Sequence, residues 1–182
     1  MPTIAEPTPP TDYPVTVPQA NAHLRIGGTD QDAYVEGLIA AATDYAELSM
    51  GCTLVARDRT TVLSDARANA TGHPLPHGPL ASVQSVTDAS GLTVSSSAYV
   101  LTRVGHTDRV RFTGSPAYPL TVAYRAGYPT ADAVPAGIRQ AILMHVATLY
   151  ENRESVSEKG RTPVPHTLDE FYRLRSRTVG VG

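Results

Sequence analysis

The segment that most constrains this chain runs from Ile138 to Tyr150, where nine of thirteen residues are Ile, Leu, Met, Val, Ala or Tyr. Its polar residues do not collect on one side of a helix: Arg139, Gln140, His145 and Thr148. Pro135 stands just before it, at a favourable first helical position. The sequence therefore predicts a long apolar helix over 135–154. Because a helix that is apolar nearly all round has to be surrounded, the question is what surrounds it in a chain of 182 residues.

Composition narrows the class of protein. A chain of 182 residues supports one domain, or one domain with an appendage, and its net charge of -2 gives no overall field for nucleic acid or anionic lipid. Cys52 is the only cysteine, which excludes an internal disulfide. No signal peptide and no apolar run of the ~20 residues that cross a bilayer is present. We therefore expect a protein that is cytosolic when made, with no membrane contact.

The first half of the chain predicts an extended arm and two helices. Five prolines within residues 1–16 forbid a regular helix and favour an extended arm. A short helix over 17–26 follows, with Thr16 near its N-cap. The next helix, over 30–50, is amphipathic and begins at a capping-box match between Thr29 and Asp32.

The middle and the end of the chain change character. From 53 to 128 apolar residues alternate with polar ones, most clearly over 120–127, and this period of two predicts β-strands. Residues 66–79, rich in Ala, Gly, Pro and His, are expected to form a loop. Residues 156–182 predict a linker and a C-terminal helix. The fold class is thus α+β: a helical body with an inserted antiparallel β region, which together form a core over 17–155.

Candidate chemistry is sparse. His73 and His77 lie in the predicted loop without a nearby carboxylate, and a structural role is favoured over a zinc site. No nucleophile elbow or phosphate-binding glycine motif is present. Glu151 and Glu154 are better explained as a solvated helix end than as an acid–base pair. The helix over 30–50 has no Lys or Arg, so a DNA-recognition helix is excluded. We expect no catalytic residue, no metal and no cofactor.

Four stretches occur in an order that is typical of one protein family: "VTVPQANAHLRI" (15–26), "TDQDAYVEGLIAAATDYAELSMG" (29–51), "LPHGPLASVQSV" (75–86) and "VAYRAGYPTADAVPAGIRQAILMHVATLYENRES" (122–155). Over residues 15–156 the chain resembles the head–tail connector proteins of long-tailed bacteriophages and gene transfer particles. These are also called adaptor or head-completion proteins. The Pro-rich arm and the segment after 156 match no part of that pattern.

The resemblance implies a structural virion protein and not an enzyme. Such adaptors form a homo-oligomeric ring, commonly a dodecamer, beneath the portal protein in the neck of the particle, and they reach it from the host cytoplasm. The ring extends the DNA channel, so that double-stranded DNA passes without sequence-specific binding. It also provides the platform for a stopper or tail-completion protein.

Candidate contact residues follow from the resemblance together with the helix patterns. For the subunit interface they lie on the apolar helix: Ile138, Ile142, His145, Leu149 and Arg153. For the portal they lie in the C-terminal helix, with apolar anchors and a basic rim: Leu168, Phe171, Tyr172, Leu174, Arg173, Arg175 and Arg177. An acidic face (Asp32, Glu36 and Glu47) lines the channel, faces arginines of the next subunit, or is a solvated outer face.

Two other functions stay open from the sequence. A stopper or tail-terminator protein of the same neck differs from an adaptor only in which neighbour it contacts. A small hydrolytic or ligand-binding module would need a pocket among residues 92–128, and the chain has no tryptophan for sugar stacking.

Overall fold

The structure of the protein is a computed structural model, which describes residues 3–4, 12–152 and 166–174. The chain divides into two compact units. Within the described residues, one unit comprises 12–50, 130–152 and 166–174, and we call it the helical unit. The other comprises 3–4 and 51–129, and we call it the β unit. The predicted α+β class, with helices and an antiparallel β region, is confirmed.

Four helices build the helical unit: α1 (Val17–Leu24), α2 (Asp32–Met50), α3 (Ala136–Glu151) and α4 (His166–Leu174). Helix α2 contacts each of the other three, and α3 also contacts α1 and α4. The centre of this unit is therefore α2. None of these described helices combines the length and the apolar character needed to cross a membrane.

The N-terminal ends of α1 and α2 show how local sequence fixes the helix boundaries. Thr16 closes the predicted N-terminus of α1 with a capping box, in which Thr16 N–H donates to Gln19 Oε1 at 2.9 Å. Helix α1 ends before residue 26, because Arg25 adopts a left-handed conformation with φ 59°. Helix α2 begins at Asp32 and not at residue 30. Asn21 Nδ2 donates to Asp32 Oδ1 at 2.8 Å and so ties α1 to the start of α2.

The prediction of a long helix that is apolar all round is not supported. Helix α3 has 16 residues and buries one stripe at the i, i+3, i+4, i+7, i+8 spacing: Ile138, Ala141, Ile142, His145 and Val146. On the other side Met144 is 46% exposed. The helix is apolar in composition, yet the described part of the chain encloses only one side of it.

Seven strands build the β unit, in two antiparallel sheets. One sheet has the order β1-β2-β7-β4 and the other the order β3-β6-β5. The strands are β1 (Thr3–Ile4), β2 (Arg57–Leu63), β3 (His73–Leu75), β4 (Leu80–Thr87), β5 (Tyr99–Val104), β6 (Thr107–Phe112) and β7 (Leu120–Ala126). The expectation of a plain loop over 66–79 is wrong, since this stretch holds a 3-10 helix, Ala66–Ala70, and strand β3.

The core of the β unit follows from the alternation read in the sequence. Every second residue of β7, from Leu120 to Ala126, is buried. These side chains belong to one cluster: Leu63, Leu75, Val86, Val110, Phe112, Leu120, Val122, Tyr124 and Ala126. Cys52, which follows α2 closely in the chain, is also buried, with 5% of its surface exposed.

Two stretches of backbone come close together just after β7. Gly127 has φ +116°, and a Cβ added there would lie 2.7 Å from backbone atoms of Val55 and Ala56. The approach is held by Gly127 N–H, which donates to Pro79 O at 2.8 Å, and by Tyr128 N–H, which donates to Leu54 O at 3.0 Å. Only glycine fits this position.

Candidate interaction surfaces

The predicted subunit-interface residues of α3 point mostly inward. Ile138, Ile142 and His145 are 5%, 0% and 3% exposed, and the His145 ring meets the Tyr45 ring edge-on at 5.0 Å. Leu149 is half-buried. The structure thus places three of the five candidates in the packing of their own helical unit. The fifth, Arg153, lies outside the described residues.

An open groove of about 450 Å³ lies beside α1 and α3 in the helical unit. Apolar and polar side chains line it: Val15, Gln19, Ala22, His23, Ala136, Arg139, Gln140 and Leu143. Arg139 is engaged, because its Nη1 donates to Asp132 Oδ1 at 3.1 Å. The groove offers shallow contact without a set of chemically reactive groups.

The C-terminal helix is docked by two of its predicted portal anchors. Leu168 and Tyr172 are 3% and 0% exposed, and α4 contacts α2 and α3. The Tyr172 ring lies 6.2 Å from that of Tyr45 and 6.1 Å from that of Phe171. Phe171 is half-buried and Arg173 is exposed.

In this arrangement Leu168 and Tyr172 hold α4 to its own unit, and Phe171 and Arg173 are the portal candidates that reach the surface. Three candidates have side chains outside the described part of the chain: Leu174, Arg175 and Arg177.

The three residues of the predicted acidic face have different environments. Glu36 is exposed, Asp32 is half-buried and accepts the Asn21 hydrogen bond, and Glu47 is only 6% exposed. The predicted acidic face is therefore exposed at Glu36 but buried at Glu47, near the C-terminal end of α2.

The exposed side of α2 is a different set, which we call the outer α2 face: Ala33, Glu36, Gly37, Ala41, Asp44 and Leu48. Leu48 is 83% exposed, and nothing within 4 Å would meet a Cβ at Gly37. The sequence reading missed this face, although small residues at i, i+4 and i+8 were its signal.

A second exposed surface lies on the three-stranded sheet. Val100, Thr102 and Val104 of β5 pair with Arg111, Arg109 and Thr107 of β6. Because side chains alternate across a sheet, these residues share the side opposite Val110 and Phe112. We call Val100, Thr102, Val104, Arg109 and Arg111 the outer β face. Val100 and Val104 are 43% and 61% exposed. The alternation of arginine with apolar residues over 109–112 is the signal for this face in the sequence.

His73 and His77, in the stretch predicted to be a loop, have surroundings that fit a role in packing. His73 is buried, and its Nε2 lies 2.7 Å from the Tyr118 hydroxyl. Burial lowers the pKa of His73, with Asp65 opposing in part. Burial also lowers the pKa of His77, and Arg59 and Arg57 lower it further. Within residues 3–4, 12–152 and 166–174, no group of three His, Cys, Asp or Glu residues is placed to hold a metal ion.

Comparisons with known proteins add a family and a fold. The family model described as "Head completion protein" matches residues 15–167. No curated protein matches the chain significantly.

Solved structures with the same fold include a chain in the neck of an empty gene transfer agent particle, computed with C6 symmetry. It has 22% identity and a TM-score of 0.74, and the match covers 100% of this chain and 98% of that one. A chain from the virion of the native gene transfer agent particle has 23% identity, a TM-score of 0.72 and coverage of 98% and 99%. A third, in the neck of the native particle with C12 symmetry, has 22% identity, a TM-score of 0.67 and the same coverage.

Proposed function

Because the chain belongs to the head completion protein family, we propose that it is a structural adaptor subunit of a particle neck. In this proposal, copies of the chain form a ring that joins the portal to the tail or to a stopper and extends the DNA channel. The family match over residues 15–167 is the observation that carries it. The fold shared with chains of gene transfer agent necks, over nearly the full length of both chains, supports it.

The exposed surfaces suit a ring subunit. A closed ring built from head-to-tail contacts needs two different surfaces on each copy, one for each neighbour. The outer α2 face and the outer β face are two such surfaces. Both combine apolar and charged residues, as the rim and core of a protein interface do.

The portal contact is proposed for residues 166–177. Leu168 and Tyr172 hold α4 to the helical unit, which leaves Phe171 and Arg173 at the surface. We propose that these two, with Leu174, Arg175 and Arg177, meet the portal. For the apolar helix, we propose that subunit contact uses Leu149, Arg153 and the exposed Met144, since Ile138, Ile142 and His145 serve the packing of their own unit.

The test is direct imaging. The purified full chain is mixed with the portal of its particle and examined by negative-stain electron microscopy. We expect an added ring beneath the portal. A ring on the tail tube alone would instead favour a tail terminator, and no ring on either would refute the proposal.

A deletion tests the portal segment. Removing residues 160–182 should abolish portal binding, while circular dichroism still reports a folded body. A truncated chain that binds the portal as well as the full chain does would refute the assignment of 166–177.

A further inference from the structure

The net charge of -2 hides a strong division of charge between the two units. Residues 51–129 carry seven arginines and four aspartates. Residues 12–50 and 130–152 carry eight carboxylates and two arginines. One unit is therefore basic and the other acidic, so the two units of different copies attract each other electrostatically.

Two of the arginines in the β unit, Arg109 and Arg111, have no carboxylate partner among the described residues. Arg109 Nη1 donates to the carbonyls of Gly72 and Thr71, at 3.0 and 3.4 Å. Arg111 is exposed on the same side of the sheet. Within the described part of the chain, neither arginine forms an ion pair, whereas Arg103 and Arg125 do.

The same face is apolar at its edge. Among the described strands, β5 lies at the edge of its sheet, and its Val100 and Val104 are 43% and 61% exposed. Exposed apolar side chains on an edge strand favour association, and monomers generally avoid them. A face with two unpaired arginines beside two exposed valines fits an acidic, partly apolar protein surface.

The outer α2 face has the complementary character. Glu36 and Asp44 are exposed on this face, and the apolar Leu48 is 83% exposed. Beside these carboxylates the helix surface carries no bulky side chain at three positions: Ala33, Gly37 and Ala41. Glycine inside a helix is unfavourable relative to alanine, so Gly37 weakens α2 while it allows another backbone to approach.

We propose that the outer β face of one copy docks on the outer α2 face of the next copy. In this contact Arg109 and Arg111 face Glu36 and Asp44, and Val100 and Val104 lie near Leu48. The inference rests on the proposed function and specifies which surfaces join neighbours in the ring. Because the two faces differ, the contact is head to tail, and it forms a closed ring when the rotation between neighbouring copies closes on itself.

A second copy explains these surfaces better than DNA does. Phosphate binding requires several cations on one surface, and the outer β face offers two arginines on a chain of net charge -2. The exposed valines and leucine contribute nothing to phosphate contact. The acidic outer α2 face repels DNA but attracts the arginines of a neighbour.

Charge reversal tests the contact. Self-association of the full chain is measured by sedimentation velocity over a concentration series. Arg111→Glu alone and Glu36→Arg alone should each weaken association about 10- to 100-fold, since like charges then face each other. The double variant should regain association. An equimolar mixture of the two single variants should regain it too, because alternating subunits in an even-membered ring restore every opposite-charge contact.

Matched controls carry the same change in net charge elsewhere. Arg125 is exposed on the other sheet, and Asp12 is exposed ahead of α1. Arg125→Glu and Asp12→Arg should leave association within about twofold of the wild type. An equal loss in these controls would assign the effect to net charge alone and overturn the proposal.

A steric pair of variants makes the same test without charge. A leucine at Gly37 meets no atom of its own chain near its Cβ and favours helix over glycine, so the subunit stays folded. Gly37→Leu should abolish association, and Gly37→Ala, which adds one methyl group, should retain most of it. Full association of the leucine variant would overturn the proposal.

Other outcomes are equally decisive. Wild-type chain that stays monomeric at every soluble concentration, or single reversals that no second change rescues, would refute a direct contact between copies. If Arg111→Glu instead lowers binding to mixed-sequence double-stranded DNA with no effect on association, the outer β face is a nucleic-acid surface. A ring beneath the portal that forms despite the reversals leaves the proposed function standing and removes this inference. If the second change restores association but no ring forms in the neck, this inference stands and the proposed function is refuted.

Discussion

Gly127 shows how one residue joins two stretches that are far apart in sequence. Its φ of +116° and the 2.7 Å approach to the backbone at Val55 and Ala56 leave no space for a side chain. The residue lies in the "YRAGY" stretch that carries part of the family resemblance. That glycine thus has a physical reason, which is the close approach of two backbones.

Replacing this glycine should be far more damaging than replacing one in an open turn. We expect Gly127→Ala to lower the free energy of unfolding by about 3 kcal/mol or more, because the Cβ collides with backbone and φ is strained. Gly91, at φ +82° with nothing within 4 Å of an added Cβ, is the matched control. Gly91→Ala should cost about 1 kcal/mol. Urea denaturation measures both, and equal losses would contradict the packing described.

The pKa values of His73 and His77 predict how stability depends on pH. Both are held below the ordinary histidine value, chiefly by burial. As pH falls, the unfolded chain therefore takes up protons before the folded one does. The stabilising effect is full above about pH 6.5 and is lost as pH falls towards the folded pKa values.

We expect the urea midpoint to fall between about pH 7.5 and about pH 5, and His77→Asn to reduce that fall. Asparagine suits the positive φ of 59° at this position. A wild-type midpoint that rises on acidification would contradict the environments of His73 and His77.

At the scale of elements, two of the described side chains of α4 are buried against its unit. Leu168 and Tyr172 are its described buried residues, and Tyr172 lies against Tyr45 of α2. A helix of nine residues has little stability of its own in water. Its attachment to the helical unit must therefore come from this packing.

Removing the Tyr172 ring should release the helix. We expect Tyr172→Ala to lower stability by about 3–5 kcal/mol or to free α4 from its unit. Limited proteolysis should then cut the C-terminal segment sooner. Arg173→Ala, on the exposed side of the same helix, should change stability by less than about 0.5 kcal/mol. Similar proteolysis of the two variants would contradict the docking of α4.

The elements that local sequence specifies were predicted well. Thr16 caps α1 because hydroxyl and glutamine side chains satisfy the first N–H groups of a helix. The alternation over 120–127 predicted a strand for an equally local reason, and the structure has it as Leu120–Ala126.

Two features that depend on tertiary contact were not predicted. Strand β3 exists only through its pairing with β6, and the buried stripe of α3 is selected by its neighbours among many apolar side chains. Composition gave the apolar character of α3 but not which side it buries. For this reason the sequence alone does not distinguish the inward-facing Ile138, Ile142 and His145 from residues of an interface.

At the scale of the whole molecule, the separation of charge predicts a dependence on salt. The screening length falls from about 10 Å at 0.1 M salt to about 3 Å at 1 M. We therefore expect self-association of the wild-type chain to weaken markedly over this range, while its urea midpoint changes little. Sedimentation velocity at both salt concentrations checks this. Association that strengthens with salt would indicate an apolar interface in place of the charged one.

The total composition could not reveal this surface. A net charge of -2 suggests an unremarkable surface, and the division appears only when residues 51–129 are counted apart from the rest. The boundary between the helical unit and the β unit is visible in the sequence, because the apolar residues change from helical spacing to an alternation of period two at about residue 53. The pairing of Val100 with Arg111, which places a valine beside an arginine on one side of the sheet, required the register of β5 and β6.

The burial of Cys52 has a practical consequence for measuring how copies meet. A shielded thiol reacts slowly with maleimide reagents, and this is the chain's single native sulfhydryl. A cysteine introduced at Leu92, which is 67% exposed and belongs to neither the outer α2 face nor the outer β face, would thus accept one fluorophore while Cys52 stays unlabelled. Donor-labelled and acceptor-labelled batches would then give the spacing between adjacent subunits as they assemble.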